Sequence, residues 1–229
     1  MAATDTTTTL RREALASGLV LVLACGLVAA LATGSPGGVA RASLVPVALA
    51  ISAGPSLALH PLPTLGLANR ITLVRAVVVA ALASLAGEEV PPLALFALGS
   101  AAFFLDWLDG RVARATGCAS PFGARLDMEL DAIFVFVLSA LAVGLGHGWW
   151  VLSAGLARYV WVGAGRVWPW LAAELPPDPW RPWACGVGIT LFLGSLLPLP
   201  ALAGAVLAGA GALVIVHSFL RDLVFLWRR

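Results

Sequence analysis

Four of the chain's seven aspartates, Asp106, Asp109, Asp127 and Asp131, crowd into one run, DWLDGRVARATGCASPFGARLDMELD. The first pair is separated by three positions and the second by four, so on helices each pair lies on one face and can share a ligand. Glu129 sits two positions from either neighbour and should point elsewhere, in a structural role. Acidic groups in or beside a membrane helix are costly, and four together repel strongly. A positive species must therefore sit among them. Carboxylate oxygens select hard cations, which favours Mg2+ or Mn2+, and two such ions would offset the repulsion. Paired ions of this kind bind the oxygens of a phosphate or diphosphate and stabilise charge as a phosphoryl group moves.

Small and polar neighbours fit that chemistry. Gly110 follows Asp109 and Gly123 precedes Asp127, so a bulky ligand could approach the backbone closely. Ser120-Pro121 reads as a helix N-cap and first helical position, which would aim backbone N–H groups at the intervening loop, where an anion could bind. Arg114 in the same loop could counter a phosphate. Its alternative is an anchoring role at the cytoplasmic surface.

The elements that must position these residues are membrane helices. The chain has 229 residues, 60% hydrophobic and 11% charged, with a mean hydropathy of +0.96, too apolar for an ordinary soluble domain. Apolar segments fall near residues 14–33, 43–59, 71–87, 92–113, 123–146, 149–170, 183–198 and 202–225, giving eight candidate helices in an all-α, polytopic membrane bundle. Pro46, Gly54 and Pro55 should kink the second or make it re-entrant. Arg11 and Arg12 before the first apolar run resemble the start of a signal peptide, but that run is long enough to span and is expected to be retained.

Every basic residue is Arg. Arg11, Arg12, Arg70, Arg75, Arg111, Arg114, Arg125, Arg181, Arg221, Arg228 and Arg229 fall on one side under the eight-helix reading, which places both termini and the aspartates at the cytoplasmic face. Arg41 alone breaks the pattern. Trp149, Trp150, Trp168, Trp170, Trp180, Trp183 and Trp227 lie at segment ends, where indoles favour the headgroup region. The formal charge of +2 gives no basis for a nucleic-acid partner. Cys25, Cys118 and Cys185 lack metal or disulfide spacing, and His60, His147 and His217 lack ligand spacing. All six are read as structural.

Asp106, Asp109, Gly110, Ala113, Arg114, Gly123, Asp127 and Asp131 match the signature D-x-x-D-G-x-x-A-R, eight residues, G-x-x-x-D-x-x-x-D, and so resemble the CDP-alcohol phosphotransferase family. Upstream, Asn69-Arg70-Ile71-Thr72-Leu73-Val74-Arg75 is similar to the N-x-x-T-x-x-R start of that family's first core helix. The resemblance implies a six-helix core over residues 69–229 and sets apart 1–68 as an N-terminal extension with two membrane segments. It implies transfer of a phosphoalcohol group from a CDP-alcohol, such as CDP-diacylglycerol, to an acceptor hydroxyl, with release of CMP.

By similarity, Asp106, Asp109 and Asp127 would hold one metal, and Asp106, Asp127 and Asp131 the second, with Asp131 also the base. Asn69, Thr72, Gly110, Ala113, Arg114, Ser120 and Gly123 would line the CDP site, in a multi-pass protein of the plasma membrane that is expected to pair as a homodimer. Two other classes also use intramembrane carboxylates. A membrane prenyltransferase would carry a second Asp-rich motif, whereas Asp178 and Asp222 stand singly. A cation-coupled transporter would show solute flux and no CMP release.

Overall fold

The computed structural model describes residues 2–60, 64–117 and 119–228; Cys118 and Arg229 lie outside them. Among the described residues there are eight α-helices and no strand: α1 Ala2–Thr33, α2 Pro36–Ser52, α3 Gly66–Ser84, α4 Pro92–Thr116, α5 Pro121–Gly144, α6 Leu152–Val167, α7 Trp180–Ser195 and α8 Ala201–Trp227. Four of these contain stretches long and apolar enough to cross a membrane: Thr9–Thr33, Gly66–Ser84, Pro92–Thr116 and Ala201–Trp227. The all-α membrane bundle expected from hydropathy is the architecture found.

Two boundaries differ from the sequence reading. Pro46 is accommodated inside α2, and the break comes later, at Ala53, where Gly54–Leu59 forms a short 3-10 helix. Pro55 accounts for this, because it has no N–H to donate to the Ile51 carbonyl four residues back and its ring crowds that carbonyl. The fourth segment was expected to stop near residue 113, but α4 continues to Thr116 and ends at Gly117, whose φ of +65° is left-handed. Glycine adopts that conformation without a Cβ clash and so terminates the helix. Arg114 consequently lies in the last helical turn of α4 rather than in the loop.

The chain forms two compact units, residues 1–90 with 97–133 and residues 91–96 with 134–229. In the first unit α1, α2 and α3 pack against one another. The apolar stretch of α3 is 56% buried, against 17% for that of α1, so α3 is a central helix and α1 presents most of its leucines outward. Arg41, the exception to the arginine pattern, is paired: its Nη2 donates to Glu88 Oε1 at 2.6 Å and to the Ser84 carbonyl at 2.8 Å.

In the second unit α7 lies along α8, and a Cβ at Gly188 would stand 2.5 Å from Ile215 Cγ1. Close backbone approach through small residues is how membrane helices gain contact without a hydrophobic driving force. Arg181 grips Asp222 through Nε and Nη2 at 2.8 and 3.1 Å. His147 Nε2 lies 3.1 Å from the Ser195 carbonyl and His217 packs edge-on to Trp180, in keeping with structural roles for both.

Candidate active site

Three helices of the first unit build the site. Asn69, Thr72 and Arg75 recur every three residues along α3, so they share one face. α4 supplies Asp106 and Asp109, and α5 supplies Asp127 and Asp131. Ser120 caps α5 as its position before Pro121 suggests, its Oγ accepting the Gly123 N–H at 3.0 Å.

All four aspartates converge on Arg75, which is completely buried. Nη1 contacts Asp106 Oδ1 directly, lies 3.0 Å from Asp127 Oδ1 and 3.6 Å from Asp109 Oδ2. Nη2 donates to Asp131 Oδ1 at 2.9 Å. The Thr72 hydroxyl donates to Asp109 Oδ2 at 2.8 Å, which fixes that carboxylate from α3. An unpaired guanidinium buried this deeply would cost on the order of several kcal/mol, so its place among carboxylates is electrostatically required.

One guanidinium against four carboxylates leaves the cluster formally anionic by three charges, which is room for further positive charge. Asp106, Asp109 and Asp127 each offer an oxygen within 4.8 Å of the others. Asp127 Oδ1 is buried without a hydrogen bond of good geometry, although Arg75 Nη1 stands 3.0 Å from it. An all-oxygen donor set with one unsatisfied buried oxygen suits a hard dication. Asp131 is not within that triad; its Oδ1 accepts from Arg75 Nη2.

The neighbouring residues gather at the start of α5. A Cβ on Gly123 would lie 2.7 Å from Asn69 Oδ1 and 3.2 Å from Ser120 Oγ, so these three residues from α3 and α5 form one small polar edge. Asn69 Nδ2 donates to the Leu65 carbonyl at 2.6 Å. Along α4, Arg114 is exposed and folds back over Gly110, with Nη1 3.3 Å from where a Cβ would be; Ala113 is half-buried. Glu129 is buried and ion-paired with Arg125 at 3.0 Å.

Two residues of this region have contacts that their sequence positions do not state. Arg75 belongs both to the cytoplasmic-side arginines and to the N-x-x-T-x-x-R pattern, and the structure makes it the cation at the centre of the cluster. Its spacing of three and six from Thr72 and Asn69 was the available signal. His60 was read as a packing residue, and it is buried with Nδ1 3.1 Å from Ser120 Oγ; no sequence spacing announces that contact.

The helix-loop-helix that presents paired aspartates to one centre defines the class. The chain belongs to the CDP-alcohol phosphatidyltransferase family, whose sequence pattern matches residues 65–217. It is 35% identical over 66 residues to CDP-diacylglycerol--glycerol-3-phosphate 3-phosphatidyltransferase of Escherichia coli (strain K12), and equally to proteins of that name in Shigella flexneri serotype 5b (strain 8401) and Shigella sonnei (strain Ss046). The match covers 28% of this chain and 36% of each relative, so the chain spans about a third of the length of the curated relatives it matches. No solved structure matches.

Proposed function

We propose that the protein transfers a phosphatidyl or other phosphoalcohol group from a CDP-alcohol, CDP-diacylglycerol foremost, to an acceptor hydroxyl, with release of CMP. The observation that carries this reading is the convergence of four aspartates from two helices on one buried centre, in a chain of this family. Asp106, Asp109 and Asp127 would hold one divalent ion and Asp106, Asp127 and Asp131 a second, Mg2+ or Mn2+. Bound there, the ions supply electrostatic stabilisation for charge developing on the diphosphate.

The remaining chemistry belongs to the protein. Asn69, Ser120 and Gly123 form the edge against which the cytidine end rests, with Thr72, Gly110, Ala113 and Arg114 bordering it. Arg75 orients Asp131 through Oδ1, leaving Oδ2 to take the proton of the incoming hydroxyl. The acceptor oxygen then forms a bond to the phosphorus distal to cytidine as the bond from that phosphorus to the bridging oxygen breaks. CMP leaves with the bond's electron pair, and Asp131 holds the proton. The site faces the cytoplasmic side of the plasma membrane in this reading, as the arginine distribution suggests, and two copies of the chain pair.

The names of the relatives make glycerol 3-phosphate the first acceptor to try. Purified protein with CDP-diacylglycerol and Mg2+ is offered glycerol 3-phosphate, inositol phosphate, serine or a phospholipid in turn, and CMP and lipid products are read by mass spectrometry. One acceptor should yield CMP and the matching phosphatidyl product together. Failure of every CDP-alcohol to yield CMP would overturn the assignment.

A further inference from the structure

Residues 1–64 precede the helices that carry the site, and the family pattern begins only at residue 65. One side chain of this extension, His60, nevertheless reaches the polar edge at the start of α5, and a second, Glu13, reaches the start of α3. His60, just after the 3-10 helix that follows α2, is buried and held on three sides. Nε2 lies 2.8 Å from the Thr64 carbonyl, Nδ1 lies 3.1 Å from Ser120 Oγ, and the ring packs edge-on to Phe122 at 5.5 Å. Glu13 on α1 accepts the Leu65 N–H at 3.2 Å through Oε2 and pairs with Arg70 at 2.8 Å through Oε1. Leu65 is the residue from which α3 starts, one turn before Asn69.

The hydrogen-bond directions follow from the partners. A carbonyl oxygen can only accept, so Nε2 of His60 carries a proton, and in the neutral imidazole Nδ1 then accepts. The Ser120 hydroxyl therefore donates its one proton to His60, and its oxygen accepts the Gly123 N–H. Toward any ligand, Ser120 so fixed presents a lone pair and no donor.

We propose that the N-terminal extension is a positioning element for the nucleotide-binding edge. His60 sets the rotamer and hydrogen-bond polarity of Ser120, and Glu13 pins the start of α3 that carries Asn69. This rests on the reading of Asn69 and Ser120 as CDP contacts. Its consequence is a ligand group that donates to Ser120, such as the exocyclic amine of cytosine or a ribose hydroxyl, rather than a phosphate oxygen.

The test uses the full purified chain, measuring KM and kcat for CDP-diacylglycerol together with CDP affinity by calorimetry. His60→Ala and Ser120→Ala should each raise KM about tenfold, the scale of one hydrogen bond, with kcat within about twofold of the parent. The double variant should be no worse than Ser120→Ala alone, because His60 is argued to act on the ligand through Ser120. His60→Asn, which keeps an acceptor facing Ser120, should recover most of the lost affinity. Multiplicative effects, or a His60→Ala protein with parental KM, would overturn the proposal. Should His60→Ala not fold, Glu13→Ala takes its place, with a raised KM at retained kcat expected and an unchanged KM contradicting it. CDP binding separates the two claims: a parent that binds CDP but makes no CMP contradicts the transferase reading, whereas equal CDP affinity in parent and His60→Ala contradicts the positioning role.

Discussion

Arg75 Nη2 meets Asp131 Oδ1 at 2.9 Å with the arginine side chain wholly shielded from solvent. The proposed proton acceptor on α5 is thus gripped by a cation on α3, and the same guanidinium reaches both aspartates of α4. It ties α3 to α4 and α5, whose carboxylates would otherwise push those two helices apart.

Removing that cation should cost most when metal is also absent. Arg75→Ala leaves four buried or half-buried carboxylates without their partner, a change worth about 3–5 kcal/mol when one member of a buried ion pair is deleted. Thermal unfolding in EDTA should show a large drop in Tm for the variant, and added Mg2+ or Mn2+ should raise its Tm more than that of the parent. Equal metal-induced shifts would show that Arg75 and the ions do not share these carboxylates.

Asp131→Asn keeps the shape of the side chain and removes its ability to take a proton. Turnover should fall by at least about a hundredfold, the lower end for a positioned general base, while CDP-diacylglycerol binding stays near the parental value. A variant with near-parental turnover would exclude this role.

Gly123→Ala puts a methyl 2.7 Å from Asn69 Oδ1. Either Asn69 swings away or the helices separate, a strain of about 1–3 kcal/mol. The expected outcome is weaker CDP binding with a modest loss of Tm, read by calorimetry and thermal unfolding. Unchanged CDP affinity would mean that the Asn69 edge is not used.

How much of this was legible in the sequence depended on the distance over which each signal acts. The aspartate pairs were readable because helical spacing alone puts Asp106 with Asp109 and Asp127 with Asp131, and the Ser120-Pro121 cap is equally local. The place of Arg75 in N-x-x-T-x-x-R is readable, but an arginine beside a membrane segment has a generic interfacial explanation, and only packing shows it turned inward to the aspartates. The contacts of His60 and Glu13 join residues more than fifty positions apart, and no periodicity records such pairings. Pro46 shows the converse: its rule predicts a disturbed helix, and α2 absorbs it while Pro55 ends the segment.

Outside the membrane segments, the Glu88 carboxyl is held below its ordinary range, first by the hydrogen bond from Arg41 and then by that from Ser35. A depressed folded-state pKa contributes stability above the unfolded value that is lost as pH falls through the folded value. Tm of the parent should therefore decline toward acid more steeply than that of Glu88→Gln, the two converging at low pH. Parallel curves would show that the Arg41–Glu88 tether contributes nothing to the folded state.

The central claim is that these aspartates hold divalent ions, and direct binding of Mn2+ tests it. Electron paramagnetic resonance titration of purified protein should count about two bound ions per chain in the presence of CDP, with fewer in Asp106→Asn and Asp127→Asn. Mn2+ binding that is absent, or that is the same with those aspartates replaced, would contradict the account.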